Sequence, residues 1–296
     1  MLKHLQIENK KPERVVVLGS QGFVGNHSMR RLKQDGINVF GISKNEINLL
    51  HADAEEKLLA TLQTNDTLVI ISAIAPCKNR ETLIDNLKMM EVVCKVIEKI
   101  SLSQIIYISS DAVYHEDINL VTEQAATAPA SFHGMMHSCR ELMLKQAVKK
   151  IPLAILRPSL LYGLEDPHNS YGPNRFRRLA EKNENIILFG QGEEKRDHVF
   201  IEDAAHIISL VACHRSEGIL NIATGTSIAF KQVAEEIKLV INTVSEIQTT
   251  SQNNPVIHRH FDATACYQAF PAFRYLSFSQ GLKSMLHPRK IYGEVA

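Results

Sequence analysis

Two histidines four residues apart, His133 and His137, are the residues of this chain whose spacing first suggests chemistry. They lie in the run "PASFHGMMHSCREL", residues 129–142, which has helix-forming character. Side chains four residues apart in a helix point to one side, about one turn apart. Such a pair can bind a metal ion, act in acid–base catalysis, or consist of two solvated polar residues. Other features of the sequence are needed to choose among these three roles.

A metal site lacks the further ligands that it would need. Histidines at i and i+4 have a ligand spacing, but no glutamate lies between them as HExxH requires. No obvious third ligand follows nearby. We therefore predict no metal ion at this pair.

Composition narrows the class of protein. The 296 residues suffice for one or two domains, and 45% hydrophobic with 22% charged content is typical of a soluble globular protein. A net charge of +1 gives no field that attracts nucleic acid or a membrane surface. No apolar run reaches the ~20 residues of a membrane span. Five scattered cysteines without a CxxC indicate free thiols, so we expect a cytoplasmic protein without nucleic-acid or membrane partners.

The elements that must position the histidines alternate between strand and helix. The runs "RVVVLG", "DTLVIISAIA" and "QIIYISS" are apolar on both faces, and helical patterns separate them. This combination predicts an α/β fold, a doubly wound parallel sheet of Rossmann type covered by helices on both sides. We assign residues 12–163 to this domain and expect residues 199–226 to return to it. Residues 164–296 are predicted to form mainly a smaller, irregular substrate-binding region.

Three glycines, Gly19, Gly22 and Gly25, are spaced three and three between the first strand and the first helix. Glycine lets backbone amides approach a pyrophosphate, and the helix N-terminus adds partial positive charge. We predict that this turn, with Phe23 and Val24 inside it, binds a dinucleotide. The alternative is a tight turn without a ligand.

The end of the second strand bears on the form of the cofactor. A carboxylate there would bind the adenosine ribose hydroxyl of NAD, but this chain has Ser43 and Lys44. A hydroxyl and a cation suit a 2′-phosphate better, so the cofactor is predicted to be NAD or NADP, with NADP favoured. Lys44 as a solvated surface residue is the alternative.

Four ordered motifs together resemble a known family. The glycine turn, "YISSDAVY", "ILRPSLLYG" and "GQGEEKRDHVFIEDAA" are similar to those of the extended short-chain dehydrogenases/reductases. More narrowly, they resemble the NAD(P)-dependent sugar-nucleotide epimerases and dehydratases. The resemblance implies a dinucleotide in the Rossmann domain, a nucleotide-sugar substrate in the C-terminal region, and a homodimer.

The resemblance also assigns catalytic positions. Family members use a Ser or Thr, a Tyr and a Lys, and these positions fall on Ser110, His133 and His137. A neutral His133 is a base near pH 7 without help, whereas His137 cannot replace a permanent cation. His137 could still hydrogen-bond the nicotinamide ribose. Two alternatives stay open, namely a protein that has lost catalysis and a variant of an active tyrosine enzyme.

Asp111 bears on the reaction. In the 4,6-dehydratases of the family an Asp and a Glu follow the Ser or Thr, and here Asp111 is followed by Ala112. The missing Glu disfavours dehydration. Epimerisation or ketone reduction needs only hydride transfer with one acid–base group.

The remaining expected contacts also come from the resemblance. Ala73, Asn86 and Pro158 are expected along the cofactor. Asn174, Arg175 and Arg196 are expected to bind the substrate, because an arginine fork suits paired phosphate oxygens. The leading hypothesis is an NAD(P)-dependent 4-epimerase or ketoreductase acting on a nucleotide-activated sugar. The alternative is a catalytically silent protein that binds a dinucleotide or sugar nucleotide.

Overall fold

The apolar runs form strands in the computed structural model, which describes residues 1–252 and 255–286. In chain order the strands are β1 Lys3–His4, β2 Val15–Leu18, β3 Val39–Ile42, β4 Thr67–Ile70, β5 Gln104–Ile108, β6 Leu120–Val121, β7 Leu153–Pro158, β8 Leu160–Tyr162, β9 Ile186–Phe189, β10 Lys195–Phe200, β11 Ser216–Ile222, β12 Ser227–Ala229, β13 Ile247–Thr250 and β14 His260–Phe261.

Seven of these strands form one sheet in the order β1-β11-β7-β5-β4-β2-β3. Every neighbouring pair is parallel except β1 with β11. The chain leaves β2 for β3 on one side and returns to β4 on the other side. Ligands of open α/β sheets bind outside the carboxyl ends of the strands at such a reversal. The predicted doubly wound fold is confirmed, and it puts the site beyond the ends of β2 and β4.

Helices cover both faces of the sheet. They are α1 Phe23–Gln34, α2 Ala54–Thr61, α3 Arg80–Ile97, α4 Phe132–Ala147, α5 Pro173–Glu181, α6 Ile201–Cys213, α7 Phe230–Ile241, α8 Thr264–Ala269 and α9 Phe278–Leu286. Val16 and Leu18 of β2 join the core under α2, α3 and α4, whereas Val15 and Val17 join the core under α1 and α6. This alternation follows from the two-residue period of a strand, and it explains why β2 is apolar throughout.

The residues after 163 contribute to several cores. A third core around Phe176, Phe230 and Ile237 joins α5, α7 and α9. In contrast, β11 pairs with β7 in the large sheet. The proposed substrate-binding region, 164–296, includes residues 253–254 and 287–296, which lie outside the described part of the chain. Across 1–252 and 255–286, no helix is both long enough and apolar enough to span a membrane.

A buried polar network fixes α4 against the sheet. Glu141 of α4 forms an ion pair with Arg157 of β7, with 2.5 Å between Oε2 and Nη2. The Ser109 hydroxyl donates to Glu141 Oε1 at 2.6 Å, and Arg157 Nη1 donates to the Tyr114 hydroxyl at 2.9 Å. Tyr114 in turn donates to Asn221 Oδ1 at 2.7 Å. The first half of α4, which carries both histidines, is therefore held in register with β5, β7 and β11.

We expect Glu141→Gln to lower the free energy of unfolding by about 3 kcal/mol, because Arg157 would remain as an uncompensated buried charge. Adding Arg157→Met should restore part of the loss, since the two residues form one network. Urea denaturation measures both effects. Glu81→Gln, in the exposed pair with Arg80, is the matched control and should change stability by less than about 1 kcal/mol. Equal effects of Glu141→Gln and Glu81→Gln would contradict this role of the network.

Candidate functional site

A cavity of about 780 Å³ opens where the sheet reverses direction, beyond the carboxyl ends of β2 and β4. It extends from Ser43 and Lys44, past the glycine turn, to Ser110 and His133. The segment 166–174 closes part of the opposite side. One continuous cavity therefore joins the predicted dinucleotide turn to the predicted catalytic residues.

The glycine turn has no room for side chains at two positions. Gly19 has a φ of +97°, and a Cβ there would lie 2.7 Å from the backbone nitrogen of Ser72. A Cβ on Gly25 would lie 2.1 Å from the carbonyl oxygen of Gly19. The turn is thus packed against both the end of β4 and the first turn of α1. This close packing leaves the start of α1 facing the cavity.

The start of α1 has the features of an anion site. Gly22 caps the helix without a side-chain hydrogen bond, and the first turn contains no acidic residue. The first backbone N–H groups of a helix lack intrahelical partners and carry partial positive charge. A pyrophosphate would satisfy them, so this end of the cavity fits a dinucleotide.

A buried hydroxyl next to the turn also lacks a partner. Ser72 lines the cavity, and within residues 1–252 and 255–286 its Oγ has no hydrogen-bond partner. Buried polar groups are normally satisfied, so a bound ligand is a reasonable source of the missing bonds. The backbone N–H of Ser43 donates to Glu46, which lowers the pKa of that carboxyl. Glu46 therefore stabilises the bend at the end of β3.

Ser110 and Asp111 lie at the other end of the cavity. Ser110 Oγ accepts a hydrogen bond from the Ala112 N–H at 3.1 Å and is 3.4 Å from Asp111 Oδ1. Burial raises the pKa of Asp111, while Arg259 and Arg196 oppose that change. Arg259 Nη2 donates to the carbonyl oxygen of Asp111 at 2.8 Å, so its guanidinium is held beside this residue.

Both histidines of α4 line the cavity, and both favour the neutral form. His137 is buried, and its Nδ1 is 2.8 Å from the Tyr107 hydroxyl. Burial, His133 and Arg140 hold the pKa of His137 well below its ordinary value. Burial and the nearby His168 lower the pKa of His133. The pair thus supplies no cation at neutral pH.

A metal site is not evident around the pair. In the part of the chain that the structure describes, no group of three or more His, Cys, Asp or Glu side chains could hold a metal ion.

The structure brings most of the predicted site residues to the cavity. Those that line it are Gly19, Gly22, Phe23, Val24, Ser43, Lys44, Ala73, Ser110, Asp111, His133, His137, Pro158 and Asn174. Arg175 and Arg196 are not among the lining residues. Asn86 is buried and bonds the backbone of Ile74, with 2.9 Å between Oδ1 and the Ile74 nitrogen. Its contact therefore supports the cavity wall from behind.

Asn174 reaches the cavity, but its amide is already used. Its Oδ1 accepts from the Gly163 N–H at 3.1 Å, and its Nδ2 donates to Asp166 Oδ2 at 2.8 Å. These bonds hold the segment that closes the cavity.

Sequence reasoning missed two parts of the site. Asp166, Pro167 and His168 line the cavity although no motif marks them. Arg259 lies between two histidines, is only 7% exposed, and bonds the carbonyl oxygen of Asp111, which lines the cavity. In the sequence, the only feature that distinguishes this arginine is its position between two histidines.

The comparisons with known proteins agree with this geometry. The model of the NAD dependent epimerase/dehydratase family matches residues 15–223. A protein named "Putative UDP-glucose 4-epimerase" from Methanocaldococcus jannaschii is 28% identical over 248 residues, which cover 76% of this chain and 81% of that protein.

Solved structures share the fold. The UDP-glucose 4-epimerase of Thermotoga maritima, solved with UDP-glucose, has a TM-score of 0.78 at 20% identity and covers 93% of this chain and 97% of its own. The Thermus thermophilus UDP-glucose 4-epimerase, in complex with NAD, has a TM-score of 0.77 at 19% identity and covers 93% and 98%. With the family match over most of its length, the chain belongs to the NAD dependent epimerase/dehydratase family.

The open start of α1 gives a prediction that separates binding from folding. Gly22 has φ −71° and ψ 169°, which suits an N-cap side chain, and a Cβ there meets only an ordinary contact at 3.4 Å. Gly22→Asp should therefore keep or raise the melting temperature, because aspartate caps helices well. The same carboxylate should weaken NAD and NADP binding at least about tenfold by repelling the pyrophosphate. Calorimetric titration measures the affinity.

Gly22→Asn is the matched control, because it caps the helix without adding charge. Its loss of dinucleotide affinity should be clearly smaller than that of Gly22→Asp. Equal losses in the two variants, or unchanged affinity in Gly22→Asp, would contradict pyrophosphate binding at this helix.

Proposed function

We propose that this protein binds a nicotinamide dinucleotide and acts by hydride transfer on a nucleotide-activated sugar, as a 4-epimerase or a ketoreductase. The observation that carries the proposal is the single cavity that joins the Gly19–Gly25 turn to Ser110, Asp111 and His133. A dinucleotide with its pyrophosphate at α1 can extend along this cavity toward those side chains.

The relatives support the same class of reaction. They include UDP-glucose 4-epimerases, of which one structure was solved with UDP-glucose and another with NAD. We carry the reaction class and the nicotinamide cofactor from them to this chain as a proposal.

Ser110 and Asp111 are proposed to act on the reacting oxygen. A bound nicotinamide would supply or accept hydride at the sugar carbon. The Ser110 hydroxyl would hydrogen-bond the sugar oxygen, exchanging its weak 3.4 Å contact with Asp111 for the ligand. Burial raises the pKa of Asp111, which Arg259 and Arg196 oppose, and its carboxyl would serve as an acid–base group near this oxygen.

The two histidines would have unequal roles. His133 lines the same cavity as Ser110 and would contact the same substrate oxygen. His137 has Nδ1 next to the Tyr107 hydroxyl. That contact leaves Nε2 for the nicotinamide ribose, without the cationic charge of the lysine that family members carry.

Two arginines are proposed to bind the substrate's diphosphate. Arg196 and Arg259 lie on adjacent segments, since the Arg259 N–H donates to the Lys195 carbonyl at 3.0 Å. Burial lowers the pKa of Arg196, and Arg259 adds to this change, whereas Glu194, whose Oε1 is 2.5 Å from Arg196 Nη2, opposes it. Neither arginine is among the residues that line the cavity, so a diphosphate would have to extend beyond that lining and share Arg196 with Glu194. Arg175 and Asn174 remain candidate substrate contacts, although the Asn174 amide already bonds Gly163 and Asp166.

The preference for NADP stays part of the proposal and has its own test. We expect NADP to bind at least as tightly as NAD, because Ser43 and Lys44 would face the 2′-phosphate. Lys44→Glu should then weaken NADP binding about tenfold or more while changing NAD binding much less. Lys88→Glu changes the charge equally on a residue that does not line the cavity and serves as the control. Equal NADP affinities of Lys44→Glu and the parent would contradict the preference.

A catalytically silent binding protein is the second candidate. It is favoured by the two neutral histidines, which replace a pair that normally includes a permanent cation. Both candidates bind the dinucleotide, and they differ in turnover.

The homodimer implied by the family resemblance also remains a proposal. It is compatible with the exposed apolar side chains of Phe132, Met135 and Leu142 on α4.

A hydride-transfer assay with UDP-, GDP- and dTDP-sugars separates the two candidates. We expect the parent to convert at least one of them, and Ser110→Ala to lower kcat about 100-fold through loss of a hydrogen bond to the reacting oxygen. Ser103→Ala, outside the cavity, is the control. An inactive parent together with a highly active His133→Tyr variant would favour the silent protein instead.

A further inference from the structure

His133 has a fixed orientation because another segment binds its ring. Its Nδ1 accepts a hydrogen bond from the backbone N–H of Cys77, with 3.4 Å between the two nitrogens. A backbone amide is always a donor, so Nδ1 must keep its lone pair to accept this bond. A neutral imidazole has one N–H, which must then be on Nε2.

The Cys77 amide is itself held by the start of α3. Cys77 is buried, and its Sγ is 3.5 Å from the Thr82 hydroxyl. Thr82 and Asn79 form the capping box of α3, in which the Thr82 N–H donates to Asn79 Oδ1 at 2.9 Å. The donor that selects the tautomer of His133 is therefore part of a well-bonded helix terminus.

The groups around His133 disfavour its cationic form. The ring of His137 meets it edge to face, with 4.8 Å between centroids, and offers it no negative charge. His168 approaches from the segment that closes the cavity, and burial acts in the same direction, so the pKa of His133 is lowered. In residues 1–252 and 255–286, no carboxylate forms an ion pair with His133. Neutral His133 with hydrogen on Nε2 is the form that these contacts select.

We propose that His133 presents a fixed Nε2–H donor to the reacting oxygen of the substrate, and that the site therefore binds the keto form of a nucleotide-activated sugar. This inference rests on the proposed function, and it favours the ketoreductase over the epimerase. Hydride from the reduced nicotinamide would add to the carbonyl carbon, and the alkoxide oxygen, held by the donors, would take its proton from water. A carbonyl oxygen has two lone pairs, which match the two donors Nε2–H of His133 and Oγ–H of Ser110.

The opposite tautomer would be poorly accommodated. A base at Nε2 needs its hydrogen on Nδ1, and that hydrogen would point at the Cys77 N–H. Two donors would then face each other without an acceptor, and both would lose a hydrogen bond. His133 is consequently better suited to polarising a carbonyl than to removing a hydroxyl proton.

Long-range ¹H–¹⁵N spectra of the full chain, labelled with ¹⁵N-histidine, test the tautomer directly. The His133 signals are assigned by their absence in H133Q. We expect the neutral Nε2–H tautomer at pH 7 to pH 8, because burial and His168 lower the pKa of His133. An Nδ1–H tautomer, or an imidazolium at pH 7, would overturn the proposal. This result decides the proposal whether or not a chosen sugar nucleotide binds.

Binding of two probes gives a second readout. We expect dTDP-4-keto-6-deoxyglucose to bind the NADP complex more tightly than dTDP-glucose. H133Q should keep the affinity for the keto probe within about threefold, because the glutamine amide N–H reaches the place of Nε2–H, whereas H133A should lose about tenfold. Equal losses in H133Q and H133A would contradict the donor role. Failure to bind NAD or NADP would instead contradict the proposed function, and the tautomer measurement would remain valid.

Discussion

The site depends on the close contact of three backbone segments at the end of the first long strand. Gly25 packs on the Gly19 carbonyl, and Gly19 packs on the Ser72 backbone. A Cβ on either glycine would clash with the backbone atoms that it packs against. This contact draws the turn below the ends of β2 and β4 and aims the open start of α1 at the cavity. The direction in which the start of α1 faces follows from that constraint, and the unpartnered hydroxyl of Ser72 lies beside it.

The second half of the site depends on how α4 is held. The buried Glu141–Arg157 pair fixes the helix to the sheet, and this position brings His133 under the Cys77 amide and His137 under the Tyr107 hydroxyl. Each imidazole thus has one nitrogen committed to the protein and is neutral because of its burial. The two histidines differ chemically from the tyrosine and lysine that family members use at these positions. Their chemistry is that of neutral hydrogen-bonding groups, which is why polarisation of an oxygen suits them better than transfer of charge.

The sequence allowed prediction of features that depend on neighbouring residues. The doubly wound fold and the glycine turn follow from local apolar runs and from spacing within the segment from Gly19 to Gly25. The features that could not be predicted depend on distant contacts. Cys77 lies 56 positions before His133, and Arg259 lies 148 positions after Asp111. The hydrogen bonds of Asn174 to Gly163 and Asp166 could not be predicted either. The sequence alone does not distinguish an asparagine that supports a loop from one that binds a substrate.

The most direct test of the account is a crystal structure of the protein with NADPH and a nucleotide-sugar. The account predicts the pyrophosphate at the backbone amides of Gly22 and Phe23, with the nicotinamide ring beside Ser110 and His133. A dinucleotide bound elsewhere on the protein, or one whose nicotinamide points away from α4, would contradict it.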